Sequence, residues 1–484
     1  MVALDYDLSS IQEARDLARK AKEAHKKYEK YSEQDIDKIL KSIVKAVLDN
    51  AEWLARMAVD ETGYGVFEHK VVKNIFASRD VYNYIKNMKT TGVIREDKEL
   101  KVTEVAVPMG VIMGIIPTTN PTSTIIHNAI CALKSGNAIV FSPHPNAVKC
   151  SNAAAQLVHE AAVKAGAPEG IIGCISKTSM PATQELMHNE YISVIIATGG
   201  SAMVKAAYSA GKPAFGVGPG NVPVFIERSA DVKKAVKDII ASKSFDNGMI
   251  CASEQAIIAD EPIKDLVVSE LKAQGAYIMN SDEATKVARI VMTPKGGMNP
   301  KFVGQTPQTI AQAAGINIPE GTRLLVAPLD GHGPGYPLSY EKLTTVLGLY
   351  TVKDWEEACY LSIDLLNLGG IGHTFSIHSQ NETIIKEFIR KPVFRILVNT
   401  PSAVGGIGYT TGLTPSMTLG CGTWGGSSIS DNLGPQHLIN VKRLAYGIKD
   451  YESGAPTNSC PPCEVKTDDI ADVVRQVLKQ LKLQ

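Results

Sequence analysis

"NAIVFSPHPNAVKCSNAAAQLVHEAAVKAGAPEGIIGCIS", residues 137–176, decides the fold. It opens with a short apolar run closed by Pro143, the pattern of a buried strand. Residues 146–166 follow as a helix, and "IIGCIS" (171–176) is a second buried strand. A strand, a helix and a strand in succession make a βαβ unit, whose strands lie parallel with helices covering them.

The alternation extends both ways. Downstream, "YISVIIATGG" (191–200) reads as a strand and "SAMVKAAYSAG" (201–211) as a helix. Upstream, "VTEVAVPMGVIMGIIP" (102–117) reads as strands, and "STIIHNAICALKSG" (123–136) as a helix closed by Gly136. Up to about residue 90 the apolar spacing gives three amphipathic helices; in the second, Ile36, Ile39, Leu40, Ile43, Val44, Val47 and Leu48 recur on one face. A second alternating region starts near Cys251: "QAIIAD", "TRLLVAPL" and "RILVNTP" as strands, "EPIKDLVVSELKAQG" and "DWEEACYLSIDLL" as helices. The expected organisation is two doubly wound α/β domains, residues 1–245 with the N-terminal helices and a strand segment near 95–108, and residues 246–430. Cys251 then lies near a cleft between domains, a common place for ligands.

The end of the chain changes character. Residues 450–466 are rich in Pro, Gly, Ser and Asn and read as a linker. In 467–484, Ile470, Val473, Val474, Val477, Leu478 and Leu481 make a single apolar stripe, with Thr467 as cap and Asp468 and Asp469 at the positive end of the dipole. Such a tail helix docks on its own subunit or in another protein's groove. Cys460 and Cys463 form a C-x-x-C in the linker without a neighbouring βαβ pattern, and read as exposed spacer residues, with a weak metal or redox role as the lesser alternative.

Fifty Lys and Arg balance 50 Asp and Glu, so no global field gathers nucleic acid or an anionic membrane. The N-terminus has no signal-peptide core and no apolar run reaches membrane-spanning length. Eight cysteines are too sparse for a disulfide scaffold and lack zinc spacing, so a reducing, cytoplasmic setting and no metal are expected.

Several stretches could carry chemistry. "ATGGSAMVKAA" (197–207) ends a strand in Gly199 and Gly200 and opens a helix whose N–H groups suit a phosphate; a tight turn alone would look the same. "GIIPTTNPTSTIIHN" (114–128) sets Asn120 between Pro117 and Pro121, where a held amide could donate to an oxyanion or simply fill a turn. "FGVGPGN" (215–221) and "TLGCGTWGGSSIS" (418–430) are Gly-rich, and Cys251 lies in "SFDNGMICAS" (244–253). A cysteine among small residues is either an inert buried thiol or a nucleophile.

The order "PTTNP", "SPHP", "ATGG", "GVGPGN", "FDNGMICASEQ", "EKLTTVL", "GGIGHT", "LGCGTWGG" resembles the aldehyde dehydrogenase superfamily over roughly residues 10–447, and within it the CoA-acylating aldehyde dehydrogenases, including the aldehyde half of bifunctional alcohol/aldehyde enzymes. The resemblance implies an NAD-binding domain, a catalytic domain and an oligomerisation strand within 431–449. It implies that Cys251 attacks an aldehyde, that Asn120 and the Cys251 N–H hold the oxyanion, and that coenzyme A takes the acyl group as co-substrate. Contacts to NAD are expected from Thr118, Ser142, Pro143, His144, Thr198, Gly199, Gly200, Gly216, Val217 and Gly218, with Glu341 at the nicotinamide ribose. His373 is a candidate on the acceptor side, or a satisfied loop histidine.

Hydrolytic members carry a glutamate in the stretch that here reads "FGVGPGN"; no acid occurs between Lys212 and Phe225, so water lacks a general base. NAD is preferred over NADP, since "FSPHP" stands where hydrolytic relatives place a lysine. Acetaldehyde is the first expected substrate, with propionaldehyde, sulfoacetaldehyde and succinate semialdehyde as rivals; for an anionic one, Arg395 and the loop 408–413 could supply charge and hydroxyls. The tail resembles those of bacterial microcompartment enzymes, which implies a shell or cargo protein as partner and the microcompartment lumen as location, and the late strand implies a homodimer or tetramer. A silent scaffold of the same fold is the alternative of another class.

Overall fold

The computed structural model describes residues 5–294, 296–451 and 467–480. In chain order its strands are β1 (Gly92–Asp97), β2 (Val102–Pro108), β3 (Val111–Ile116), β4 (Ala138–Pro143), β5 (Ile172–Cys174), β6 (Ile192–Thr198), β7 (Ala214–Val217) and β8 (Val222–Ile226). They continue with β9 (Glu254–Asp260), β10 (Ala276–Ile278), β11 (Leu324–Pro328), β12 (Val346–Val352), β13 (Gly372–His378), β14 (Val393–Val398) and β15 (Ile439–Ala445). By internal contacts the chain divides into a large unit, up to Ile94 with Glu104–Lys442, and a small one, Arg95–Thr103 with Arg443 onward.

The large unit holds both expected α/β layers. One sheet has five parallel strands in the order β5-β4-β3-β6-β7, the other seven parallel strands in the order β10-β11-β12-β9-β8-β13-β14. Strands β3 and β4 are buried along their whole length, which is why they are near-continuous apolar runs rather than alternating ones. The helix Glu33–Thr62 starts at a capping box of Ser32 and Asp35 and buries the Ile36, Ile39, Leu40, Ile43, Val44 and Val47 face; Leu48 stays exposed at its rim. The third N-terminal helix is interrupted: Phe67–Ile75 passes through a π turn, Phe76–Asp80, into Val81–Ile85.

The domain boundary lies earlier than residue 245. Strand β8 pairs with β9 and β13, so it and the helix Val232–Ser244 belong to the seven-stranded layer. The change of sheet falls in the Gly-Pro-Gly turn between β7 and β8. A strand–helix pattern cannot reveal this, because it is the same whichever sheet the strand joins.

In the small unit, the Tyr446 N–H donates to the Lys101 carbonyl at 3.1 Å. Strands β1, β2 and β15 form a three-stranded sheet, and β15, within the expected oligomerisation segment, is largely exposed. The tail helix runs over Thr467–Gln480, with Val473, Val474, Val477 and Leu478 all exposed. Cys460, Cys463 and the rest of the linker beyond Tyr451, with residues 481–484, lie outside the described residues.

Candidate active site

A cavity of about 530 Å³ lies where the five-stranded sheet's carboxyl ends meet the amino ends of β9 and β12. Pro117–Asn120 follow β3, Ser142–Asn146 leave β4, Thr198–Gly200 leave β6 and Val217–Pro219 leave β7, and all line it. Cys251 precedes β9 and Glu341 precedes β12, and both face the same space. The order of the five-stranded sheet reverses at β3, so the crevice outside β3 and β6 is the switch point at which open α/β sheets bind ligands.

Of the sequence-derived candidates, Thr118, Asn120, Ser142, Pro143, His144, Thr198, Gly199, Gly200, Val217, Gly218, Cys251 and Glu341 converge on the cavity. Gly216 does not line it. A Cβ there would meet Val204 Cγ1 at 2.4 Å and Tyr208 Cε2 at 2.7 Å, and its N–H donates to the Tyr208 hydroxyl at 2.8 Å. Gly216 therefore seats the helix Ser201–Tyr208 rather than facing a ligand.

His373 is also off the cavity. It lies in β13, fully buried, and its Nδ1 shares a 2.9 Å hydrogen bond with Thr374 Oγ1. Burial, with Arg395 adding, drops its pKa well below the usual imidazole value, so the ring is neutral. It sits behind Gly220: a Cβ on that glycine would meet His373 Cε1 at 3.2 Å and the Cys251 carbonyl oxygen at 2.1 Å. Arg395, 3 % exposed, donates to Gly420 O at 2.7 Å and to Asn432 Oδ1 and Thr374 Oγ1 at 3.3 Å. Neither it nor the loop 408–413 lines the cavity, and among the described lining residues there is no Lys or Arg.

Cys251 is partly buried. Burial pushes its thiol up to about 12, with Glu341 and Cys421 adding and Arg395 opposing, so at neutral pH the thiol is protonated. Glu341 takes the Gly220 N–H on Oε1 at 2.9 Å, and burial raises its carboxyl to about 7. Asn120 caps the helix Pro121–Lys134 by position, yet its side chain makes no cap bond. Its Nδ2 instead donates to Met249 O at 3.1 Å, two residues before Cys251, and its Oδ1 accepts from Lys73 Nζ at 2.6 Å.

Sequence reasoning misses the framework under this loop. Lys73 and Lys70, both buried on the helix Phe67–Ile75, donate to Asp246 Oδ2 at 2.5 and 3.1 Å, and the Val66 N–H donates to Oδ1 at 2.8 Å. Burial works to raise the Asp246 pKa, but the two ammoniums outweigh it and hold it at about 2. Burial also brings Lys73 down to about 8, against the pull of Asp246. Asp246 and Asn247 take left-handed backbone, φ 49° and 52°, a region open to Asp and Asn more than to other side chains. The lysine spacing of three places both on one helix face, a weak signal, but their carboxylate is more than 170 residues away.

A dinucleotide fits the donor set. The helix Ser201–Tyr208 begins at Gly200 on the cavity, and the free N–H groups of its first turn suit a pyrophosphate. A Cβ on Gly200 would meet nothing within 4 Å, so backbone there is open to close approach.

Comparison with known proteins agrees with this arrangement. The aldehyde dehydrogenase family model matches residues 2–293. The bifunctional aldehyde-alcohol dehydrogenase AdhE of Escherichia coli K12 is 43% identical over 444 residues, which cover 90% of this chain and 50% of that protein. The chain thus spans about half the length of that curated relative. The acetylating succinate-semialdehyde dehydrogenase of Clostridium kluyveri is 41% identical over 437 residues, 90% of this chain and 96% of that one. An acetylating aldehyde dehydrogenase of Geobacillus thermoglucosidasius superposes with a TM-score of 0.92 at 52% identity, covering 93% of this chain and 100% of that structure.

Proposed function

Because this chain belongs to the aldehyde dehydrogenase family, we propose that it is an NAD-dependent, CoA-acylating enzyme, converting an aldehyde, CoA and NAD into acyl-CoA, NADH and a proton. The observation that carries the proposal is Cys251 on a cavity whose β7–β8 turn, Gly218–Asn221, holds no acid. Cys251 Sγ bonds to the aldehyde carbon while its proton leaves to solvent, and the carbonyl oxygen takes the Asn120 Nδ2 donation. Bound NAD would accept the hydride, held by the residues around Thr118, Ser142–His144, Thr198–Gly200, Val217–Gly218 and Glu341. Cys251 is left as a thioester, and the CoA thiol displaces it, forming one S–C bond as the other breaks and passing its proton to the departing Cys251 sulfur. Glu341, the one carboxylate among the described lining residues, is tied to the Gly220 N–H, which supports a thiol acceptor over an activated water.

The described lining residues include no Lys or Arg, which supports an uncharged substrate, acetaldehyde first and propionaldehyde next, over succinate semialdehyde or sulfoacetaldehyde. The same absence supports NAD over NADP, whose extra phosphate calls for a cation. The test is NADH absorbance with each aldehyde, with and without CoA. Without CoA, NADH should stop near one equivalent per chain; sustained turnover to free acid, or none with any aldehyde, refutes the reading. The exposed apolar stripe of the tail helix supports attachment to a microcompartment shell or cargo protein, and the exposed β15 supports a homodimer or tetramer. Deleting residues 450–484 from the full chain in a shell-forming cell should release it to the cytoplasm; unchanged retention counts against the tail.

A further inference from the structure

The amide of Asn120 is not oriented by its own helix, since it makes no cap bond. Lys73 orients it from the oxygen side, its Nζ donating to Asn120 Oδ1 at 2.6 Å, while Nδ2 donates to Met249 O at 3.1 Å and to Thr119 Oγ1 at 3.3 Å. An ammonium has no acceptor, so the carboxamide oxygen has to face it and the NH₂ has to face Met249 O and the Cys251 loop. Among the described residues, Lys73 is the donor that Asn120 Oδ1 has. The charge around it is not balanced: Lys70 and Lys73, 3 % and 2 % exposed, share one carboxylate, Asp246, which leaves one positive charge (2 − 1 = 1) in a water-poor setting. Lys70 is spent on Asp246 and on the Thr119 carbonyl, at 3.0 Å, so the ammonium behind the amide is that of Lys73.

Building on the proposed chemistry, we infer that Lys73 is a positioning residue: it fixes the Asn120 carboxamide with nitrogen toward the cavity and polarises it toward a developing oxyanion. A chain of Nζ–H to O=C, then N–H to oxyanion, strengthens each bond in turn. Without Lys73 only the Met249 carbonyl and the Thr119 hydroxyl, among the described residues, hold the amide, so it turns more readily, and a turned oxygen faces the negative charge it should stabilise.

The test is a double-mutant cycle on the full chain, read as the first-turnover NADH burst with aldehyde and NAD. Loss of an oxyanion donor costs about 10²–10³-fold, so Asn120→Ala should fall by that range and Lys73→Met by about 10². The double variant should lie within about threefold of Asn120→Ala, because Lys73 acts through that amide. Lys73→Arg, which restores a charged donor, should recover to within about tenfold of the parent. Iodoacetamide labelling of Cys251 should stay within about threefold of parental in each, which a general collapse of the loop would not allow. A Lys73→Met burst near the parental rate, or losses that multiply in the double variant, overturns the inference. If Lys73→Met does not fold, Lys73→Leu, which likewise has no donor, replaces it under the same criteria. A parent that makes no NADH from any aldehyde refutes the proposed function instead; the Asn120 side-chain rotamer in a crystal of the folded Lys73 variant then decides, and an unmoved amide overturns the inference.

Discussion

Gly220→Ala tests how tightly the Cys251 loop is packed. A Cβ at this position would stand 2.1 Å from the Cys251 carbonyl oxygen and 3.1 Å from its carbon. Ordinary contact begins at 3.4 Å, so something must move by at least 3.4 − 2.1 = 1.3 Å. The obstacle is backbone rather than a flexible side-chain end, and His373 Cε1 closes another side at 3.2 Å. Retreat of residue 220 would pull its N–H off Glu341, to which it donates at 2.9 Å, so the displacement falls on the Cys251 turn. Misplacing a nucleophile by about 1 Å costs about 10²-fold in rate, and overpacking costs about 1–3 kcal/mol of stability. The expected outcome is a first-turnover NADH burst slowed about 10²-fold, with a lower urea midpoint and intact secondary structure. A burst within threefold of the parent would refute the reasoning, because the backbone would then have absorbed the methyl group without moving sulfur.

Three further outcomes follow from the same geometry. Cys251 is held protonated by burial, with its pKa near 12, so its alkylation rate should climb about tenfold per pH unit from 7 to 9, measured against Cys251→Ser as blank; a plateau in that range would show an activated thiol. Asp246→Asn strands the Lys70 and Lys73 ammoniums and should cost about 3–5 kcal/mol in urea titration. Because the folded Asp246 pKa, about 2, lies below the unfolded one, its stabilisation is present above the unfolded value and drains away as pH falls toward 2; an acid-unfolding curve identical to that of Asp246→Asn would contradict this. Gly216→Ala should push the helix Ser201–Tyr208 off β7 and raise the KM for NAD about tenfold, with kcat largely kept and a stability loss of about 1–3 kcal/mol; unchanged KM and midpoint would mean that Tyr208 yields freely.

The layered α/β architecture is legible because buried parallel strands leave near-continuous apolar runs, as in "VIMGII" and "AIVF". Less legible are strands that share residues with motifs. "GIGHT" reads as a loop, yet His373 and Thr374 belong to buried β13, which moves His373 from the cavity to its back wall. "FGVGPGN" hides the end of β7 and the step into β8, so the change of sheet goes unseen. Cys251 and Asn120 stand out through local context, but Gly216 looks like its neighbours until Tyr208 is placed beside it. The Lys70–Lys73–Asp246 cluster leaves no local trace, since its members meet only across the fold.

That last cluster has a consequence for how the molecule can be disarmed. The turn that presents the thiol is anchored to a segment 180 residues earlier, through the Val66 amide and the two lysines beside it. On a nascent chain Val66, Lys70 and Lys73 leave the ribosome before the sulfur does, and the turn gains this anchor once Asp246 follows and reaches them. Conversely, a substitution in that earlier segment, withdrawing Val66 or the two lysines, would slacken the turn from a distance while the seven-stranded layer stayed whole.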